Sequence, residues 1–247
     1  MAPDPFQVPS SAQGTPGITV CGDRSVRISF ARDPGAGAIE SLRRALALPP
    51  IPGVADIICA MKTVSVVFDP LEADPSKVLA EVRRRLDGAG GSTIEDHPRR
   101  EVVLPVCYEP PFAPDLASIA ERAGLGQSRL IDLHAGVGYT ARFLGFSPGF
   151  AYLEGLPEAL HTPRLESPRT RIEPGSVAVA GCFSGVYPQA TPGGWRVIGR
   201  TPLRLFDPAC DPPSLIGPGD LVRFRPIDGA EFARLIAEQG AGEGGLQ

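Results

Sequence analysis

Apolar and polar positions divide this chain into two halves with different periodicities. In the first half, Val26, Ile28 and Phe30 alternate with Arg27 and Ser29, the pattern of a half-buried strand, and Gly22-Asp23 offers a turn just before it. Ile39, Leu42 and Leu46 then fall on one helix face over Ala38 to Leu48, and Pro49-Pro50 stops that helix. Val54 to Ala60 and Thr63 to Phe68 are β-rich runs, with Met61-Lys62 as the hairpin turn between them, although neither residue favours positive φ. Asp74 is placed to cap a helix with Pro75 in its first turn, and Val78, Leu79, Val82 and Leu86 give that helix an apolar face to about Asp87. With Glu101 to Val106 as the last strand, the order β-α-β-β-α-β is the split arrangement of a ferredoxin-like α/β sandwich.

The second half changes period. Helical segments are expected over Asp115 to Ala123 and Ser128 to Ala135. Short apolar runs follow: Tyr139 to Phe146, Ser176 to Ala180, Gly185 to Tyr187, Trp195 to Thr201, Leu203 to Phe206 and Leu221 to Pro226. Pro/Gly-rich connections separate them, and a closed barrel is the economical way to hide the edges of so many short strands. Ala230 to Glu238 reads as a last helix. The resulting class is α+β, with a disordered arm over 1–16, a first domain over 17–106, a barrel domain over 107–229, and a short helix and flexible tail over 230–247.

Charge and composition remove several classes of function. A formal charge of −4 with interspersed acids and bases gives no basic stripe for nucleic acid. The run Arg83-Arg84-Arg85 reads as a solvated helix face. No stretch approaches a membrane span, and the first residues lack the basic and apolar regions of a signal peptide. The five cysteines never form Cys-x-x-Cys, which argues for reduced, mostly buried thiols in a cytoplasmic protein rather than for disulfides or zinc. His97, His134 and His161 show no metal spacing, and no metal site is expected.

Generic catalytic motifs are scarce. There is no phosphate-cradling P-loop and no Gly-x-Ser-x-Gly elbow, and Gly136-Val137-Gly138 lacks the strand and helix of a dinucleotide fingerprint. The chemistry is instead concentrated in stiff Pro/Gly loops, which hold side chains in fixed positions. These are FLGFSPGFAYLEGLP (Phe143 to Pro157), HTPRLESPRTRIEPGSVAVAG (His161 to Gly181), YPQATPGGWRVIGRTPLRLFDP (Tyr187 to Pro208) and PGDLVRFRPI (Pro218 to Ile227). They carry Arg164, Arg169, Arg196 and Arg200, whose planar forks suit carboxylate or phosphate oxygens, or which staple loop carbonyls. Gly193-Gly194 either presents amides to an anion or makes a plain turn, and Phe146, Tyr187 and Trp195 either line a pocket or pack a core. Glu154 and Glu158 read as solvated loop charge.

The same four segments resemble the family of the B subunit of bacterial ATP-dependent 5-oxoprolinase, also called the KipI or allophanate hydrolase subunit 1 family. The likeness is strongest from Val106 to Ile227 and weaker over Gly17 to Arg100, where Gly22-Asp23 and Val67-Phe68-Asp69-Pro70 resemble its N-terminal markers. It implies a ferredoxin-like domain followed by a cyclophilin-like barrel. It also implies an obligate KipA-like partner, the C subunit, and a LamB/YcsF-like A subunit in the full enzyme. The implied reaction opens the lactam 5-oxo-L-proline to L-glutamate at the expense of ATP, with ATP binding by this chain left open. The alternatives are half of a carboxyltransferase acting on a urea- or allophanate-type substrate, or an inhibitor of a histidine kinase. The segment Met61-Lys62-Thr63 is not a biotin-attachment motif.

His134 matches the family's histidine ahead of the first barrel strand. The resemblance makes it a proton shuttle or anion ligand, against a histidine that satisfies a buried loop. Arg200 is the companion catalytic candidate, with Arg164, Arg169, Arg196, Gly193 and Gly194 for substrate or phosphate. Two positions depart from the family: Pro111 stands for a glutamate and Phe183 for a glutamine, with Ser184 in place of a threonine and Glu109 two residues from the missing acid.

Overall fold

The computed structural model describes residues 16–89 and 99–243, so the disordered arm expected over 1–16 lies almost wholly outside the described residues. Two compact units divide the chain between Pro98 and Arg99.

In the first unit, β1 (Gly17–Cys21) and β2 (Ser25–Ser29) form a hairpin whose turn needs positive φ at Gly22 (65°). They are followed by α1 (Ala36–Ala47), β3 (Val54–Cys59), β4 (Thr63–Phe68) and α2 (Pro75–Ala89). The sheet runs β1-β2-β4-β3 and every pairing in it is antiparallel. Val26, Ile28, Val64, Val66 and Phe68 alternate onto the buried face, where Ile39, Leu42 and Leu46 of α1 and Val78 and Val82 of α2 meet them. The Met61-Lys62 turn forms as expected, with the Ala60 N–H on the Thr63 carbonyl at 2.8 Å. The Asp74 carboxylate accepts from the Ser76 N–H at 2.8 Å at the start of α2.

Two expectations are corrected here. The strand at Glu101 belongs to the second unit, and β1 occupies the edge beside β2 that it was expected to fill. A tight hairpin closes that edge with little loop entropy, whereas Val102, Leu104 and Val106 bury themselves in the barrel core. The basic run on α2 is also not uniformly solvated. Arg84 is exposed and pairs with Glu81, but Arg85 turns inward and donates to the Ala45 and Leu46 carbonyls at 3.1 and 2.9 Å. It thereby caps unsatisfied carbonyls at the end of α1.

The second unit comprises β5 (Glu101–Cys107), α3 (Leu116–Ala123), α4 (Gln127–Ala135), β6 (Gly138–Leu144), β7 (Ala151–Glu154), β8 (Arg169–Ile172), β9 (Ser176–Ala180), β10 (Phe183–Val186), β11 (Thr191–Gly193), β12 (Arg196–Arg200), β13 (Leu221–Ile227) and α5 (Gly229–Glu243). Seven of its strands close a barrel in the order β10-β7-β6-β13-β5-β12-β9, while β8 and β11 form a separate ribbon. The β5–β13 pairing is parallel and in continuous register from Glu101↔Leu221 to Cys107↔Ile227.

The expected strand over Leu203 to Phe206 is absent. Leu205 still buries in the core, but Phe206 makes only an isolated bridge to Ser214. Pro202 and Pro208 bracket the segment and lack the N–H groups a ladder needs. Strands β7, β8 and β11 lie where the sequence showed only irregular connections. The last helix runs past Glu238 to Glu243. All five cysteines are free; Cys59 and Cys107 are buried as expected, but Cys182 and Cys210 are exposed.

Strand β9 explains how this unit carries two apolar clusters. Its residues Ser176–Ala180 are all buried. Val177 and Val179 point into the barrel core, and Ala178 and Ala180 point outward into a second cluster with Phe150, Ile172, Tyr187, Trp195 and Val197. Small side chains on the outward face leave room for large rings. Gly185 on the neighbouring strand is needed for the same reason, since a Cβ there would come within 2.9 Å of Phe150 and 3.0 Å of Trp195.

Candidate functional site

The sequence candidates separate into three places in the barrel unit. His134 lies in the core, on α4, with no solvent exposure. Its ring stacks on Phe224 at 4.5 Å. The Tyr108 hydroxyl is 2.8 Å from Nδ1 and the Ser184 hydroxyl 3.0 Å from Nε2. One proton arrangement satisfies the whole chain: Tyr108 O–H donates to Nδ1, Nε2–H donates to Ser184 Oγ, and Ser184 O–H donates to the Ala178 carbonyl at 3.4 Å. The Tyr139 hydroxyl donates to the His134 carbonyl at 2.8 Å.

Burial pushes the His134 pKa down to about 3 and raises the phenols of Tyr108 and Tyr139. The imidazole is fully buried and both its nitrogens are engaged by protein hydroxyls. Of the two roles left open for it, the geometry matches the histidine that satisfies buried polar groups. Tyr108 and Ser184, which complete the chain, are 26 and 50 residues away in sequence, so no local pattern announces them.

Arg200 sits at the end of β12, where its Nε donates to the Pro174 carbonyl at 2.8 Å and its guanidinium lies 6.0 Å from the Phe112 ring centroid. It staples the β8–β9 connection to the barrel. Arg169 is likewise engaged: both terminal nitrogens reach Asp115 at 2.8 Å, and the same carboxylate accepts the Val197 N–H at 2.7 Å. Asp115, a residue the sequence marked only as a helix start, therefore ties β8, β12 and α3 together.

The remaining candidates gather around Tyr187. Its ring is buried, and burial foremost raises its phenol pKa, opposed by a backbone hydrogen bond from Trp195 and by the charges of Arg164 and Arg169. Gly193 packs against this phenol, since a Cβ there would come within 2.5 Å of the Tyr187 hydroxyl. The Gly194 carbonyl accepts the Leu165 N–H at 2.7 Å and Arg196 Nε donates to the Pro163 carbonyl at 3.2 Å, so both pin the loop that carries Arg164. Trp195 packs edge-on against Phe150 at 5.4 Å. Gly193 is thus a packing glycine and Trp195 a core ring. Phe146 differs from both, standing exposed beside Tyr187 with ring centroids 6.0 Å apart. Glu154, expected as loop charge, lies on β7 and pairs with buried Arg142 at 3.0 Å.

A cyclophilin-like closed barrel, preceded by an antiparallel α/β unit and edged by arginines and aromatics, is the class of protein these features define. Residues 16–216 match the family described as carboxyltransferase domain, subdomain C and D. The protein of Escherichia coli O157:H7 named as the B subunit of 5-oxoprolinase is 44% identical over 184 residues, covering 74% of this chain and 83% of that protein. The protein of the same name from Bacillus subtilis (strain 168) is 36% identical over 226 residues, covering 87% and 94%. Among solved structures, TTHA0988 superposes with a TM-score of 0.70 at 33% identity, covering 83% of this chain but only 40% of the TTHA0988 chain. This chain belongs to the carboxyltransferase subdomain C and D family, in the branch that holds the B subunits of 5-oxoprolinase.

Proposed function

We propose that the chain is the B subunit of an ATP-dependent 5-oxoprolinase that opens 5-oxo-L-proline to L-glutamate together with a LamB/YcsF-like A subunit and a KipA-like C subunit. The observation that carries this reading is the 44% identity, over 74% of this chain and 83% of the relative, to a protein named as the B subunit of 5-oxoprolinase. A five-membered lactam is a resonance-stabilised amide and a poor electrophile. Coupling to ATP activates its carbonyl oxygen as a leaving group, which calls for cations and amide donors around phosphoryl oxygens.

Among the described candidates some of those groups are already engaged and others are not. His134 is sealed, Arg169 is neutralised by Asp115, and Arg196 and Arg200 each spend one donor on a loop carbonyl. Arg164 and the terminal nitrogens of Arg196 and Arg200 remain as candidate anion donors, and the reading is of a chain inactive alone whose site is completed by its partners. The test is co-expression with the KipA-like and LamB/YcsF-like partners from the same genome and an assay of 5-oxoproline-dependent glutamate release with ATP. Release only when all three chains are present is the expected result. A stable complex that turns over no 5-oxoproline would refute the assignment of substrate.

A further inference from the structure

Three tyrosines are buried in the barrel unit, and two of them spend their hydroxyls on protein acceptors. Tyr108 donates to His134 Nδ1 and Tyr139 to the His134 carbonyl, each at 2.8 Å. Tyr187 is 1% exposed, yet among the described residues its O–H has no acceptor. A buried hydroxyl proton left without a partner costs free energy, so this one calls for a reason. The groups that meet its oxygen are donors and cations. The Trp195 N–H is directed at it, and the charged side chains acting on it are Arg164 and Arg169.

Backbone geometry sets these groups along one segment. The Tyr187 hydroxyl lies against the bare backbone of β11, since a Cβ on Gly193 would come within 2.5 Å of it. The Leu165 N–H donates to the Gly194 carbonyl at 2.7 Å and Arg196 Nε to the Pro163 carbonyl at 3.2 Å, which lays the Arg164 loop along the residues that follow Gly193. Arg169 stands opposite Gly193 in the β8–β11 ribbon, but Asp115 takes both its terminal nitrogens at 2.8 Å. Arg164 is exposed and has no hydrogen-bond or ion-pair partner among the described residues, so it is the cation left uncommitted beside the phenol.

We propose that the Tyr187 hydroxyl and the Arg164 guanidinium form a carboxylate-binding site against the bare backbone of Gly193. A carboxylate accepts the orphaned O–H on one oxygen and the guanidinium on the other, and it supplies the negative charge that this group of donors lacks. The occupant rests on the function proposed above and is the carboxylate of 5-oxo-L-proline. Ring opening leaves that carboxylate unchanged, so it serves as a fixed handle. Tyr187 and Arg164 are then specificity residues that hold the substrate while other groups act on the lactam.

The experiment assembles wild type, Tyr187→Phe and Arg164→Gln with the KipA-like and LamB/YcsF-like partners and measures 5-oxoproline turnover. The expected result is a KM for 5-oxo-L-proline raised about tenfold or more in each variant, with kcat and the KM for ATP little changed. Without ligand, Tyr187→Phe melts at or above the wild-type temperature, because it removes an unpaired hydroxyl, whereas Tyr139→Phe melts lower. An unchanged KM for 5-oxo-L-proline, or a Tyr187→Phe chain that melts well below wild type, would overturn the site. A KM for ATP that rises instead would make the ligand a phosphate and overturn the carboxylate. If the assembled wild type turns over no 5-oxo-L-proline, the functional reading falls and the site is judged on the purified chain. A melting temperature raised by 5-oxo-L-proline but not by 2-pyrrolidinone, the same lactam without the carboxylate, and unmoved in Tyr187→Phe, upholds the site; no rise in wild type overturns it.

Discussion

His134 makes the stability of the barrel depend on pH in a way that can be calculated. In the folded protein its pKa is pushed down to about 3 by burial. In the unfolded chain it returns to about 6.5. The unfolded state therefore binds the extra proton between those values, so the stabilisation is fully present above pH 6.5 and is lost as pH falls toward 3. Integrated from pH 7 to pH 4, this one group removes about 3 kcal/mol, a large share of the stability of an ordinary domain. Trp195, the chain's one tryptophan, is buried in the barrel unit and reports its unfolding. Urea titrations of wild type and His134→Gln at pH 7, 5.5 and 4 separate this term from the carboxylates, which titrate in both. The variant starts less stable, because Tyr108 and Ser184 lose a partner, but its stability declines less on acidification by about 3 kcal/mol. Parallel pH profiles for the two proteins would refute the assignment of a buried neutral histidine.

Other perturbations test the loops. Asp115→Asn leaves Arg169 without its bidentate partner and weakens the acceptor for Val197 N–H; a loss of about 2 kcal/mol in urea unfolding is expected, tempered by the partial exposure of Arg169. Gly185→Ala drives a methyl into Phe150 and Trp195, and the overpacking costs about 1–3 kcal/mol with a shifted tryptophan emission. Gly175→Ala is more severe, because it combines positive φ of 79° with collision against the Thr201 carbonyl; poor soluble expression is the expected outcome. Arg200→Ala removes a staple on the Pro174 carbonyl, so it lowers the melting temperature by a few degrees, and in the assembled enzyme its effect on turnover tracks that instability.

Much of the architecture was legible because period-two alternation and Pro/Gly punctuation are local signals. Val64, Val66 and Phe68 mark β4 and its buried face without reference to anything else in the chain. The failures are where partners distant in sequence decide the outcome. Nothing within Glu101 to Cys107 says whether it pairs with β2 or with β13, more than a hundred residues on. Strand β8 (Arg169–Ile172) reads as irregular because, among the described residues, its sole ladder partner is the bulged, proline-containing β11. The site candidates divided on the same principle. The stiff loops mark where arginines and aromatics lie, but whether an arginine is free or stapled depends on carbonyls and carboxylates elsewhere in the chain. Arg169 and Arg164 have nearly the same local sequence, each following a proline; one meets Asp115 and the other meets solvent.

The two departures from the family acquire a physical meaning in this setting. Pro111 lies in the turn closed by the Phe112 N–H on the Glu109 carbonyl at 2.9 Å, and the Phe112 ring packs on Phe232 of α5 at 4.4 Å. Glu109 does not replace the lost acid as a free carboxylate, because it accepts the Gly229 N–H at 3.1 Å at the start of α5, where negative charge suits the helix dipole. Phe183 meets Tyr152 edge-on at 5.9 Å and Phe143 at 6.3 Å. At Phe183 a polar group has been exchanged for apolar ring contact, whereas Pro111 sits in the turn that precedes Phe112. If the chain supports 5-oxoproline turnover as proposed, neither position supplies a group the chemistry requires. Phe183→Gln would then cost about 1–2 kcal/mol of stability through the lost ring contacts and leave kcat of the assembled enzyme unchanged. A rise in kcat with the restored glutamine would instead locate Phe183 at the reacting centre and make this chain a relative tuned to a different substrate.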